Sequence, residues 1–287
     1  MNTRAWQDIG PTSPATASMS AHPPLPPPAP PSPRSLAPRE HGAYGQLGVP
    51  LVASLALAPP NLAALGLAIG AIATFLAHEP LLVLLGQRGS KARTQDGPRA
   101  AKRLRFLGTL ALVAGGLGLF CAPMIARLGA IPPMLLGIVV AWFVWRKEEK
   151  TTIGEVVAAA ALSGAGFPIA LAEGVDVFRA ALVWFVWTIA FGVATVSVRA
   201  VIARAKDTGP EPVVLAYVVA IGTLFSTVGL ALVDQLPMGV PIALAPFELL
   251  GLGVLLADVH TRQLRRVGWG LVGASVLTGA FVVTMLR

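Results

Sequence analysis

A small set of ionisable and hydroxyl side chains stands within or at the ends of long apolar stretches: Glu40, His41, His78, Glu79, Glu155, Thr195, Arg199, Glu248, Asp258 and His260. A charged side chain at the centre of a membrane helix costs roughly 2.5–3.5 kcal/mol on insertion scales. Each therefore needs a partner, water or a role. The carboxylates and imidazoles suit acid–base exchange, and the guanidinium suits anion binding. Together they form the candidate polar site.

No local motif narrows that chemistry. The chain has no Walker A loop, no HExxH, no GxSxG and no cysteine cluster. The single cysteine, Cys121, excludes an intramolecular disulfide and any Cys-pair metal site. No metal site is expected, and neither a catalytic residue nor a cofactor can be named.

The elements that carry these residues are membrane helices. Of 287 residues, 55% are hydrophobic and only 13% charged, too few charges to coat a soluble surface. Mean hydropathy is +0.71. The apolar spans are read at 43–58, 62–86, 104–122, 128–145, 152–172, 177–203, 212–233, 238–260 and 267–286. Most approach the ~20 residues that cross hydrocarbon as helix. Period-2 alternation is absent, which excludes a β-barrel. The fold class is all-α, a polytopic transmembrane bundle of about nine spans.

Charge placement orients it. The net charge is +8, and the positions of the basic residues point to an anionic membrane surface rather than to nucleic acid. Arg88, Lys91, Arg93, Arg99, Lys102, Arg103 and Arg105 cluster in the 87–105 loop. Arg146, Lys147 and Lys150, then Arg199, Arg204 and Lys206, then Arg262, Arg265 and Arg266 mark the other loops on that side. The positive-inside rule puts the N-terminus in the cytoplasm and the C-terminus outside. Residues 1–38 read as a separate cytoplasmic tail, because the run at 23–31 is mostly proline and cannot form helix or sheet. The transmembrane domain is 39–287.

In this orientation the polar residues concentrate in the inner half of the bundle, which suggests a cavity open to the cytoplasm. Trp184, Thr188, Thr195 and Arg199 share one helical face and would line it. Thr223 and Thr227 share a face of the seventh span. Simpler roles stand beside these: Arg199 snorkelling to headgroups, Glu155 favouring a helix N-terminus, Asp258 pairing locally with Arg262, and the threonines bonding their own backbone. Glu79 lies too deep for a carboxylate to reach headgroups, and Glu248 deeper still. Gly66 and Gly70 fit small-xxx-small helix packing.

Pro38-Arg39-Glu40-His41-Gly42-Ala43-Tyr44, leading into the first span, resembles the opening signature of the YwiC-like family of bacterial membrane proteins. That resemblance covers about 38–286. It marks Glu40, His41 and Gly42 as important and assigns them no chemistry. The nine-helix plan is also similar to that of UbiA-type prenyltransferases. Their Asp-rich motifs are replaced here by Gln87-Arg88-Gly89-Ser90-Lys91 and by the basic 199–206 segment.

The expected function is a multi-pass protein of the bacterial cytoplasmic membrane whose cytoplasm-facing polar cavity binds an anionic amphiphile or lipid-like ligand. His41, Glu79 and His260 are the acid–base candidates and Arg199 the anion clamp. One alternative is a proton-coupled secondary transporter with His78, Glu79 and Glu248 as relay. Another is a non-catalytic assembly protein whose proline-rich tail recruits a partner.

Overall fold

The computed structural model describes residues 35–38, 41–257, 259 and 263–286. Among them the regular structure is entirely helical. The helices are α1 (His41–Leu55), α2 (Leu62–Leu84), α3 (Ser90–Cys121), α4 (Met124–Gly129), α5 (Ile131–Arg146), α6 (Thr152–Gly164), α7 (Gly166–Ala172), α8 (Val177–Lys206), α9 (Glu211–Leu232), α10 (Gly239–Leu256) and α11 (Leu264–Leu286).

Two breaks are written in proline. Pro132 and Pro133 open α5 and cannot donate back into α4. Pro168 cannot donate to the carbonyl of Gly164, where α6 gives way to α7. Each pair still forms one membrane-length rod, Met124–Arg146 and Thr152–Ala172.

Eight rods among the described residues are long and apolar enough to cross a membrane. The first expected span is the short one. α1 has 15 residues, a rise of about 22 Å, against the ~20 residues a full crossing takes. The all-helical membrane bundle holds, and the nine spans read from sequence become eight long rods and one short helix.

The expected loop over 87–105 is a correction. Only its first few residues turn; helix resumes at Ser90 and continues unbroken for 32 residues. Ala92, Asp96, Gly97 and Ala100 of this basic segment are buried, and Ala100 packs on Val83 of α2, so packing holds as helix a segment that charge alone would leave exposed. Leu36 joins the same contact, buried with Val83 and Ala100. Packing of the bundle thus begins inside the stretch read as tail; residues 1–34 lie outside the described residues.

Glycine sets the α2–α3 register. A Cβ at Gly66 would lie 2.8 Å from Ala114 O, one at Gly70 2.8 Å from Gly115 Cα, and one at Gly118 2.6 Å from Leu67 N. The small-residue face of α2 is therefore used within the chain, by backbone-to-backbone approach. Carried inward, this antiparallel register sets Glu79 level with about Arg105.

α8 is the enclosed centre. It packs on α6, α7, α9 and α10, and Val186, Trp187, Ala190 and Val193 are fully buried. A helix apolar all round belongs in such a place. α3 is the opposite case: Leu112, Leu117 and Phe120 are exposed, as a lipid-facing surface requires.

Candidate functional site

Glu79 is almost completely buried near the C-terminal end of α2, followed by Pro80, and the helix continues through both. Its partner is Arg88, whose Nε donates to Oε1 at 3.0 Å and whose Nη2 donates to Oε2 at 2.6 Å. The two residues are not neighbours on a helix. The chain must leave α2 and double back, which it does through Gly86 and Gly89 at φ +75° and +93°. Backbone in that region suits glycine. The bidentate geometry is the strong form of a carboxylate–guanidinium contact.

Glu155 and Arg199 form a second pair. Arg199 Nε donates to Glu155 Oε2 at 2.8 Å, and its Nη2 donates to the Lys150 carbonyl. Glu155 lies in the first turn of α6, capped by the Thr151 hydroxyl. Further along the same seam, Trp184 Nε1 donates to Ala160 O at 2.9 Å, and its ring covers Gly164. The face carrying Trp184 and Arg199 is therefore the contact between α8 and α6, and Thr195 on it is half-buried. Sequence periodicity identified a shared face; the structure gives it to a helix neighbour rather than to a cavity.

The two pairs are separate. Glu79 is satisfied from the turn after its own helix, and Arg199 from the start of α6. Each glutamate closes on its own arginine, Glu79 on Arg88 and Glu155 on Arg199.

Glu248 is 1% exposed on α10. Its Oε1 lies 2.5 Å from Thr223 Oγ1 on α9, while Oε2 is buried without a hydrogen-bond partner. Thr227 bonds back to Thr223 O at 2.8 Å. The seventh-span threonines thus serve their own backbone, and one of them also meets a carboxyl. His78 is half-buried beside Glu79. Glu40, Asp258 and His260 lie outside the described residues, as does Arg262. The backbone of His41 begins α1, but its side chain lies outside the described set. Of the opening motif, Tyr44 packs edge-on against Phe75 of α2, ring centres 5.0 Å apart.

Four participants escaped sequence reasoning. Arg88 reads in the sequence only as a loop charge, since nine residues of separation match no helical neighbour relation. Thr223 was not paired with Glu248, because their adjacency depends on α9–α10 packing. Ser197, 3% exposed, carries a buried unpartnered hydroxyl. Glu173 caps α7 just beyond the span with both carboxylate oxygens buried and unpartnered. Burial raises its carboxyl from 4.5 to about 7.

Among the described residues, no group of three or more His, Cys, Asp or Glu side chains is placed to hold a metal ion. No curated protein and no solved structure matches the chain, so the likeness to UbiA-type prenyltransferases gains no support. Residues 37–170 match the family model described as YwiC-like protein, and through that part of its length the chain is similar to the YwiC-like family.

Proposed function

We propose that this is a multi-pass protein of the bacterial cytoplasmic membrane that holds an anionic, lipid-like amphiphile against the basic ends of its helices. The supporting observation is the outer face of α3. Lys91, Arg99, Lys102 and Arg105 are exposed there, opposite the side that Ala92, Asp96 and Ala100 bury. The row runs directly into Phe106, 68% exposed. Cations that adjoin an apolar surface complement an anionic headgroup that adjoins an acyl chain. Trp142 and Trp145 are exposed at the same end of α5, with Arg146 stacked 5.7 Å over the Trp142 ring. Such aromatics favour the headgroup level.

Closed Glu–Arg pairs favour a positioning role for Glu79, Arg88, Glu155 and Arg199. The proposed ligand contact accordingly moves from an inward cavity to the membrane-facing side of α3. The basic row faces the cytoplasm by the positive-inside rule. The same rule sets the C-terminus outside, and the N-terminus inside if α1 crosses.

The test is native mass spectrometry of the protein purified with its membrane lipids. Retained adducts should be anionic amphiphiles. A protein that retains zwitterionic and anionic lipids in the membrane's own proportions would refute the reading.

A further inference from the structure

Glu248 presents a hydrogen-bond count that does not close if it is a carboxylate. Thr223 Oγ1 is 2.5 Å from Glu248 Oε1, 2.7 Å from Val219 O and 3.2 Å from Ala220 O. A threonine hydroxyl carries one proton. Carboxylate and carbonyl are both acceptors, so that proton fills only one of the two short contacts. Threonine in an apolar helix commonly donates to the carbonyl four residues back, as Thr227 does to Thr223 O at 2.8 Å. The remaining 2.5 Å contact then requires a proton on the carboxyl itself.

Among the described residues the surroundings supply no other neutralising group. α8, α9 and α11 pack against α10. Between Arg179 and Arg199 on α8 there is no titratable side chain. On α9 beyond Glu211 there is only Tyr217, and on α11 beyond Arg266 there is none. Tyr217 is committed to Leu255 O at 3.1 Å, and Arg199 to Glu155. Asp258 and His260 follow α10 in sequence and lie outside the described residues. A bare carboxylate in so apolar a place is costly, in contrast to Glu79 with its arginine.

Toward the far end of α10 the nearest hydroxyls are already spent on backbone, Thr227 on Thr223 O and Thr278 on Ala243 O; toward the basic end a hydroxyl remains unspent. Ser197, its hydroxyl unspent, lies against Gly251 one turn along α10; a Cβ there would be 3.0 Å from Ser197 Oγ. The Tyr217 hydroxyl follows at Leu255. Both lie toward the end that carries the basic residues. In the other direction Phe247 meets Phe191 edge-on at 5.6 Å, and Phe191 stacks on Trp187 at 5.4 Å. All three rings are buried.

We propose that Glu248 is an intramembrane proton-binding site: its neutral carboxyl donates to Thr223 Oγ1 and exchanges its proton with the basic side of the membrane past Ser197 and Tyr217. This goes beyond the amphiphile reading and does not depend on it. The proton is the ligand, and no covalent step is involved.

A hydrophobic carbodiimide adds to a protonated carboxyl and spares a carboxylate. The full-length protein in lipid bilayers is treated with dicyclohexylcarbodiimide, and adducts are located by peptide mass spectrometry. The expected adduct is on Glu248, with none on the arginine-paired Glu79 and Glu155. In reconstituted vesicles, alkaline buffer on the basic side slows the labelling, and alkaline buffer on the other side does not. Infrared spectroscopy covers the case of a reagent that cannot reach the site: a protonated-carboxyl C=O band at neutral pH should be lost in Glu248→Gln. Absence of that band, or labelling of Glu79 and Glu155 alongside Glu248, would overturn the assignment. Slowing from the opposite side would overturn the exchange route.

Discussion

Arg88 closes on Glu79 from beyond the end of α2, so that a carboxylate 1% exposed is matched by a guanidinium 25% exposed. The asymmetry gives the two partners different costs. Removing the arginine strands a charge inside the protein, whereas removing the charge of Glu79 leaves an arginine with a route to water. Arg88→Ala should therefore destabilise by on the order of 3 kcal/mol, and Glu79→Gln by less. The double variant should lose less than the sum. Glu79→Gln and Arg199→Ala, which belong to different pairs, should add. Thermal unfolding in detergent reads all of these. Equal small losses for both Glu79 and Arg88 variants would show that the pair is not closed.

The α2–α3 register makes a paired prediction. A methyl at Gly118 meets the α2 backbone at 2.6 Å, whereas Gly116 has nothing within 4 Å. Backbone cannot rotate out of the way, so Gly118→Ala should cost about 1–3 kcal/mol, as overpacking typically does. Gly116→Ala should be neutral or slightly stabilising, because alanine favours helix. Equal behaviour of the two in thermal unfolding would mean that the helices do not approach so closely.

Glu173 gives a pH dependence. Its carboxyl is raised by burial from 4.5 to about 7, so the folded state holds the proton more tightly than the unfolded state. That contribution is fully present below about 4.5 and lost as pH rises through about 7. Stability should decline across this window, and Glu173→Gln should flatten the decline. Unfolding followed between those limits decides it; an unchanged slope in the variant would assign the effect elsewhere.

Topology follows from counting helices outward from the α2–α3 turn. If that turn is cytoplasmic, α3, the 124–146 rod, the 152–172 rod, α8, α9, α10 and α11 place the C-terminus outside whatever α1 does. A reporter fused after Arg287 should read outside and one inserted at 87–89 inside. Only the N-terminal reporter depends on α1. An outside N-terminus would show that the 15-residue helix does not cross.

How much of this was legible follows from range. The helical rods and their spacing are local and were read from hydropathy. The basic stretch at 87–105 reads as loop because charge dominates its composition. The buried residues of that segment, Ala92, Gly97 and Ala100, carry no signal of their own. The shared face of Trp184 and Arg199 was visible in their spacing, but its occupant was not, since a helix wheel does not name the neighbour. The Glu79–Arg88 and Glu248–Thr223 contacts needed a reversed turn and a helix packing, respectively. The placement of Glu40, Asp258 and His260 falls outside the described residues.

The central claim is that the exposed cations of α3 select an anionic amphiphile. The direct measurement is the binding preference of the purified protein for anionic over zwitterionic phospholipid, compared between wild type and Lys102→Gln with Arg105→Gln. Each cation near a membrane surface contributes about 1 kcal/mol, so the double variant should lose roughly 2 kcal/mol, about thirtyfold in affinity. Its helical content and unfolding temperature should stay unchanged, because both side chains are exposed. An unaltered preference in the folded double variant would contradict the account.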